Sequence, residues 1–363
     1  MRSRVWCGTA AAVLGLLAAG CGGGKDTEDK GGKGDTGDKG TEKSAASGGF
    51  PVTVTDCMGA GTTFTEAPEK IVTSNASSLE ILLRLGAGDK VIGTGFPPAK
   101  GALPGELDAR AQQVEVLSKT VIPKEKLLGS GADLYIDTFA SMAGMGGGMG
   151  DAPTEEEFKA AGIKHVYLKS TACAPMSKGP SEDLSAVQDD ITSLGAVTGT
   201  SAKARELVDG MKEKVDGVRK AVGGTAQDAR PTYFFFDFDA GTKQPIAVCN
   251  RQVANAVITL AGARNVFADC DGDFKQVSWE DVVSRNPDWI QLGVRDRGSE
   301  AADEKAFDEA RKWLEGNPAT KGLKAVKEGN FLRIGSERTT IAGVENATTV
   351  QDIARAVHPD KVK

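Results

Sequence analysis

The chain has 363 residues, 40% of them hydrophobic and 26% charged, with a net charge of −6. Lys and Arg form no block outside residues 22–49, which argues against nucleic acid as a partner. No apolar run is long enough to cross a bilayer as a helix, so any hold on a membrane needs another device.

The first such device is at the start. Arg2 and Arg4 precede an apolar run from Ala10 to Ala19, and Leu17-Ala18-Ala19-Gly20-Cys21 closes it. Charge, a short apolar core and small residues are the layout of a secretory signal. Small residues just before a cysteine resemble a bacterial lipobox. That resemblance implies removal of residues 1–20 and a lipid on Cys21; a secretory signal with a chance cysteine is the other reading. Residues 22–49 hold only Gly, Lys, Asp, Glu, Thr, Ser and Ala, with five Lys against six acidic residues. Such a segment cannot bury apolar surface and is expected to stay disordered. With the lipidated Cys21 it makes residues 21–49 a tether, with a reach of roughly 30 Å. The body would then be held by lipid on the outer face of the cell membrane.

The body is expected as an N-terminal lobe (50–180), a helical segment (181–224) and a C-terminal lobe (225–363). Phe50 to Asp56 and Thr62 to Phe64 read as a hairpin across Gly59-Ala60-Gly61. Ile71 to Thr73 reads as a strand, Ser74 to Ser78 as a turn, and Leu79 to Leu85 as a helix stopped by Gly86. Val91 to Gly95, Asp133 to Asp137 and His165 to Leu168 read as further strands. The stretch Ser181 to Val222 reads as helical throughout, with Leu207, Met211, Val215, Val218 and Val222 at helical spacing. Strands follow at Tyr233–Phe236, Trp289–Leu292 and Phe331–Ile334, with helices at Val253–Leu260 and Ala347–Val357. Strands alternating with helices predict an α/β fold with parallel sheets.

The halves repeat each other. Leu85-Gly86-Ala87-Gly88-Asp89-Lys90-Val91 parallels Leu260-Ala261-Gly262-Ala263-Arg264-Asn265-Val266, and Glu125 with Asp133 parallels Glu280 with Asp288 at the same offset. Two similar α/β lobes joined by one long rigid helix leave a cleft between them. Ligands of open α/β sheets sit beyond the carboxyl ends of the strands.

Cys7 lies in the signal, leaving Cys57, Cys173, Cys249 and Cys270. Four cysteines in an exported chain suggest two disulfides, with three possible pairings. Their positions within the halves favour Cys57 with Cys173 and Cys249 with Cys270. There is no CxxC-like spacing for zinc. Phosphate-loop and Gly-x-Ser-x-Gly signatures are absent, and the two histidines, His165 and His358, do not form a catalytic set. No enzyme is expected. A carboxylate-pair hydrolase and a scaffold with a degenerate cleft are the remote alternatives.

Ala67-Pro68-Glu69-Lys70-Ile71-Val72, Glu80-Ile81-Leu82 and Leu85-Gly86 resemble the opening of the iron-siderophore and cobalamin substrate-binding proteins of ABC importers. Leu260-Ala261-Gly262, Asn265-Val266-Phe267-Ala268-Asp269, Val277-Ser278-Trp279-Glu280 and Asn286-Pro287-Asp288 resemble its second lobe. The resemblance implies capture of a metal chelate and delivery to a permease with its ATPase, with no resident cofactor and no metal bound directly by the protein. It makes an Fe(III)-siderophore the expected ligand, with cobalamin or haem as alternatives, and a monomer the expected state. It also implies that Glu125 and Glu280 dock on permease arginines; the local alternative is a favourable charge at a helix start.

Ligand contacts are expected on loops after strands: Asn75, Ser77, Phe96, Thr138, Phe139 and Thr171 in the first lobe, and Phe238, Arg251, Arg295 and Arg338 in the second. Aromatics supply contact area, and arginines offer paired planar donors to chelate oxygens. Met142 with Gly144 to Gly150 departs from the family pattern. It reads as a Gly-rich surface loop, an adaptable apolar lip, or thioether ligands for Cu(I).

Overall fold

The computed structural model describes residues 49–138 and 152–363. Cys21, the tether, Phe139 and the Met/Gly-rich stretch lie outside these described residues.

In the first half, β1 (Val52–Thr55) and β2 (Gly61–Phe64) form an antiparallel hairpin. Then come β3 (Ile71–Thr73), α1 (Ala76–Leu85), β4 (Val91–Thr94), α2 (Glu106–Ala111), α3 (Lys124–Leu128), β5 (Leu134–Asp137), α4 (Glu155–Ala160), β6 (Lys164–Tyr167) and α5 (Lys169–Ala172). Two helices follow, α6 (Ser185–Val197) and α7 (Ser201–Val222). The second half runs β7 (Thr232–Asp237), β8 (Ile246–Val248), α8 (Val253–Leu260), β9 (Arg264–Asn265), β10 (Phe274–Gln276), α9 (Trp279–Arg285) and β11 (Trp289–Gly293). It closes with α10 (Glu300–Gly316), α11 (Lys324–Glu328), β12 (Phe331–Arg333), α12 (Ser336–Thr340) and α13 (Glu345–Val357).

Each half builds a parallel four-stranded sheet with the same plan. The orders are β4-β3-β5-β6 and β9-β7-β11-β12, so the leading strand lies between the second and third in both. The repeat read in the sequence is therefore a repeat of topology. An aspartate locks each sheet in the same way. Asp133 accepts from the backbone N–H groups of Glu69 and Lys70 at 2.8 and 3.1 Å, just before β3. Asp288 accepts from the N–H and hydroxyl of Thr232, both at 2.7 Å, at the start of β7.

Local chemistry differs from expectation at four places. The turn read at Ser74–Ser78 is shorter, because Asn75 caps α1: its side chain accepts from Ser78 N–H, and the helix begins at Ala76. Gly86 closes α1 at φ +78°, where a side chain would be strained. The stretch Ser181–Val222, read as helical throughout, is two helices that begin only at Ser185 and are broken between Val197 and Ser201. Thr198 ends α6, and Gly199 at φ +74° turns the chain before α7. Residues 169–171 and 337–339, read as loops, are short helices.

Helix α7 has 22 residues, about 33 Å of rod. Its buried stripe of Ala204, Val208, Met211, Val215, Val218 and Val222 joins one apolar cluster with α1, α6, α8 and α13. Helices of both halves thus share a core with the connector. Disulfides join Cys57 to Cys173, tying the β1–β2 loop to the end of α5, and Cys249 to Cys270, tying β8 to the segment after β9.

Candidate functional site

With the first strand between the second and third, chain connections leave in opposite directions on either side of β3–β5 and β7–β11. Ligands of such sheets bind at that switch, beyond the strands' carboxyl ends. In the first half this places Ser74, Asn75, Phe96 and Thr138 at the site; in the second, Asp237, Phe238, Arg295 and Glu337. The halves meet beside it. Ser77 Oγ donates to the Ala342 carbonyl at 2.6 Å, and Arg84 pairs with Glu345 at 2.8 Å. A Cβ on Gly298 would lie 3.9 Å from the Ala99 Cβ, so a second pair of loops also comes close.

The first-half wall is largely committed to itself. Asn75 and Thr138 are buried; Asn75 Nδ2 donates to Thr138 Oγ1 at 3.0 Å, and Ser74 Oγ lies 2.9 Å from the same oxygen. These polar atoms are spent on holding the β3 and β5 ends together. Ser77 contacts the other half through Ala342, and Gly343 has no room for a Cβ, which would meet Ser77 Oγ at 2.4 Å. Phe96 remains half-buried with φ +33°, a conformation costly for a bulky residue. Its backbone is fixed from both sides, N–H to the Thr120 carbonyl and carbonyl to the Ala76 N–H. Thr171 lies on α5, two residues before Cys173, with its hydroxyl buried and without a hydrogen-bond partner among the described residues. The start of α5 is held by Asp190, which accepts from the N–H groups of Lys169 and Ser170 at 2.9 Å each. Burial pushes the Asp190 carboxyl up to about 6.

The second-half wall carries the charge. Phe238 stacks edge-on against Phe236 at 6.0 Å. Arg295 is exposed, and among the described residues its guanidinium makes no ion pair. Its backbone N–H donates to Asp239 Oδ2 at 2.7 Å, and Arg297 pairs with the other oxygen of Asp239. Asp237 and Glu337 lie close enough to feel the charge of Arg295, and Asp296 follows Arg295 in the chain. Burial raises all three carboxyls, while the positive charge of Arg295 pulls Asp237 and Glu337 back down.

The three arginines singled out in the sequence are not brought together. Arg251 pairs with Asp271 beside the Cys249–Cys270 bridge. Arg338, the third residue of α12, turns toward α13, where its Nη2 donates to Asp352 at 2.6 Å. Ending near a strand did not align them, because helix α12 aims its residues around a full turn. Of the acids near Arg295, Asp237 and Glu337 fall in the loops Asp237-Phe238 and Glu337-Arg338-Thr339, where ligand contacts are expected from the sequence, but neither was singled out, and Asp296 was not named. Their signal was their place beside Phe238 and Arg338 after strands. Among the described residues no group of three or more His, Cys, Asp or Glu is arranged to hold a metal ion.

Glu125 and Glu280 are the second residues of α3 and α9, both exposed and without an ion pair among the described residues. Ser278 caps α9 by accepting from Asp281 N–H at 3.1 Å. Glu280 rims a groove of about 510 Å³ that also touches Lys243, Trp279, Trp313 and Asn317.

Comparison with known proteins agrees with this architecture. The family model described as "Periplasmic binding protein" matches residues 71–337. An ABC transporter substrate-binding lipoprotein of Bacillus subtilis (strain 168), YvrC, is 25% identical over 364 residues, covering 100% of both chains. A cobalamin-binding protein of Halobacterium salinarum is 25% identical over 253 residues, 68% of this chain and 59% of the relative. The solved structure of an ABC-type Fe3+-hydroxamate transport system from Saccharomonospora viridis shares the fold, with TM-score 0.67 and 23% identity over 85% of this chain and 99% of that one. The chain is not an enzyme but belongs to the periplasmic binding protein family of the iron/B12 type, as an extracytoplasmic substrate-binding protein that serves an ABC permease and its ATPase.

Proposed function

We propose that this protein is a receptor held by lipid on Cys21 at the outer face of the cell membrane. It captures a ferric siderophore in the cleft and hands it to the permease. The observation that supports this reading is the cleft itself, with Phe96 and Phe238 offering aromatic surface and Arg295 a guanidinium with no ion pair. Asp237 and Glu337 lie close enough to feel the charge of Arg295, so this wall lacks the positive excess that a polyanionic chelate would demand. A neutral or cationic chelate, such as a trihydroxamate, fits it better. Glu125 and Glu280 are assigned to permease docking, because both are exposed on equivalent helices and make no ion pair among the described residues.

Mass spectrometry of the molecule that co-purifies with the lipoprotein from iron-limited cells tests the ligand. A siderophore carrying iron supports the reading; a corrinoid rejects it in favour of cobalamin. Cobalamin is retained as the second reading because one aligned relative is a cobalamin-binding protein.

A further inference from the structure

A second cavity lies along the β9 edge of the second sheet. It measures about 200 Å³ and sits where the chain leaves α7 and enters β7. Parallel pairing sets Thr232 of β7 against Arg264 of β9, and the Arg264 N–H donates to the Pro231 carbonyl at 2.9 Å. This register brings Arg230 and Arg264 to the lining of the same small space.

Two guanidiniums at one cavity repel unless a counter-charge stands between them. Among the described residues neither makes an ion pair, and the one acid in the lining, Glu182, is not within pairing distance of either. Arg230 Nη1 reaches the Thr259 carbonyl at 3.4 Å, but its Nε is buried with no hydrogen-bond partner. A buried unsatisfied donor on a charged group is costly and calls for an acceptor. Asn250 adds a further donor: its Oδ1 accepts from Gly272 N–H, which leaves its NH2 unspent toward the cavity it lines. The hydroxyl of Thr259 is likewise uncommitted among the described residues. Five-donor guanidinium forks with amide and hydroxyl donors match oxygen anions.

We propose that this cavity is a binding site for a small tetrahedral oxyanion of the phosphate or sulfate class, distinct from the chelate cleft. The bound anion would bridge β7 and β9. It would also brace the point where the chain enters α6, since the Asn250 carbonyl accepts from Ser181 N–H at 2.6 Å. The same chemistry is offered by a free ion and by the phosphate head of an anionic lipid.

The test is titration of the full-length lipoprotein in detergent with inorganic phosphate, by calorimetry at ionic strength held constant with chloride. Saturable binding of one equivalent is expected, with about tenfold or greater weakening in R264Q. Arg264 is exposed, so R264Q should fold even where R230Q does not; unchanged thermal unfolding without phosphate checks this. Calorimetric titration with soluble short-chain phosphatidylglycerol, against short-chain phosphatidylcholine as control, is run on the same detergent-solubilised protein and on R264Q, because a lipid on Cys21 would carry the chain onto vesicles of either composition. If only phosphatidylglycerol responds and R264Q abolishes the response, the lipid head is the source. Absence of binding in both arms, or equal binding by wild type and R264Q, overturns the proposal.

Discussion

His165 shows how single residues here are governed by partners distant in sequence. It is buried, with Nδ1 2.7 Å from Glu155 and Nε2 3.3 Å from Asp137, and Tyr135, Phe158 and Tyr167 pack around the ring. Burial opposes the charged ring, yet the two carboxylates outweigh it and hold the His165 pKa above its ordinary value. A raised pKa means that this group's contribution is fully present below about pH 6.5 and fades as pH rises through the folded-state value. Urea unfolding should therefore show a stability gap between wild type and H165Q that is wide at pH 6 and narrower at pH 9; a gap that widens with pH would refute the assignment. The arginines give a second residue-scale contrast. R295A should weaken ligand binding about tenfold or more with unfolding unchanged, because Arg295 is exposed and makes no ion pair among the described residues. R338A should leave ligand affinity within about twofold and cost about 1 kcal/mol of stability, the Asp352 pair being partly exposed. Titration and thermal melts on both variants separate the roles.

At the scale of elements, the two disulfides do different work. Cys57 and Cys173 are 116 residues apart, Cys249 and Cys270 only 21. In the chain-entropy account the longer loop restricts the unfolded chain more, by about 1.5 kcal/mol at 25 °C. Replacing Cys57 and Cys173 by Ala should lower the unfolding free energy more than replacing Cys249 and Cys270, and denaturant titration of the paired variants measures it. Most strands of the two parallel sheets were legible beforehand, though β8, β9 and β10 were not, and the equal offset of Asp133 and Asp288 from Glu125 and Glu280 marked the repeat but not the locks. The break between α6 and α7 was less legible. Apolar spacing runs on through Val197, and only the turn at Gly199 interrupts it.

Over the whole molecule, one apolar cluster spans α1, α6, α7, α8 and α13, and Ser77–Ala342 and Arg84–Glu345 stitch the halves at its side. Wide hinge opening would break these contacts, so capture should involve little rearrangement. Small-angle scattering with and without ligand should give radii of gyration within about 1 Å; a larger fall on binding counts against the rigid frame. The exposed glutamates act at the same scale. E125A/E280A should reduce radiolabelled iron uptake by about tenfold or more while ligand affinity changes less than about twofold, since docking charges act on association with the partner. Unchanged uptake would remove the docking role, and a large loss of affinity would return these residues to the fold.

Sequence by itself determined the α/β halves and their repeat. Those features are written in local pattern: apolar runs that bury on two faces, Gly86 and Gly262 where the backbone takes positive φ, and acids at fixed offsets. Only the tertiary structure decided which polar residues remain available. Asn75 and Thr138 satisfy each other, Ser77 reaches the other half, Arg251 and Arg338 are taken by Asp271 and Asp352, and Arg295 alone of the three makes no ion pair among the described residues. A charged side chain's role depends on what stands within a few ångströms of it, and that neighbourhood is assembled from segments far apart in the chain.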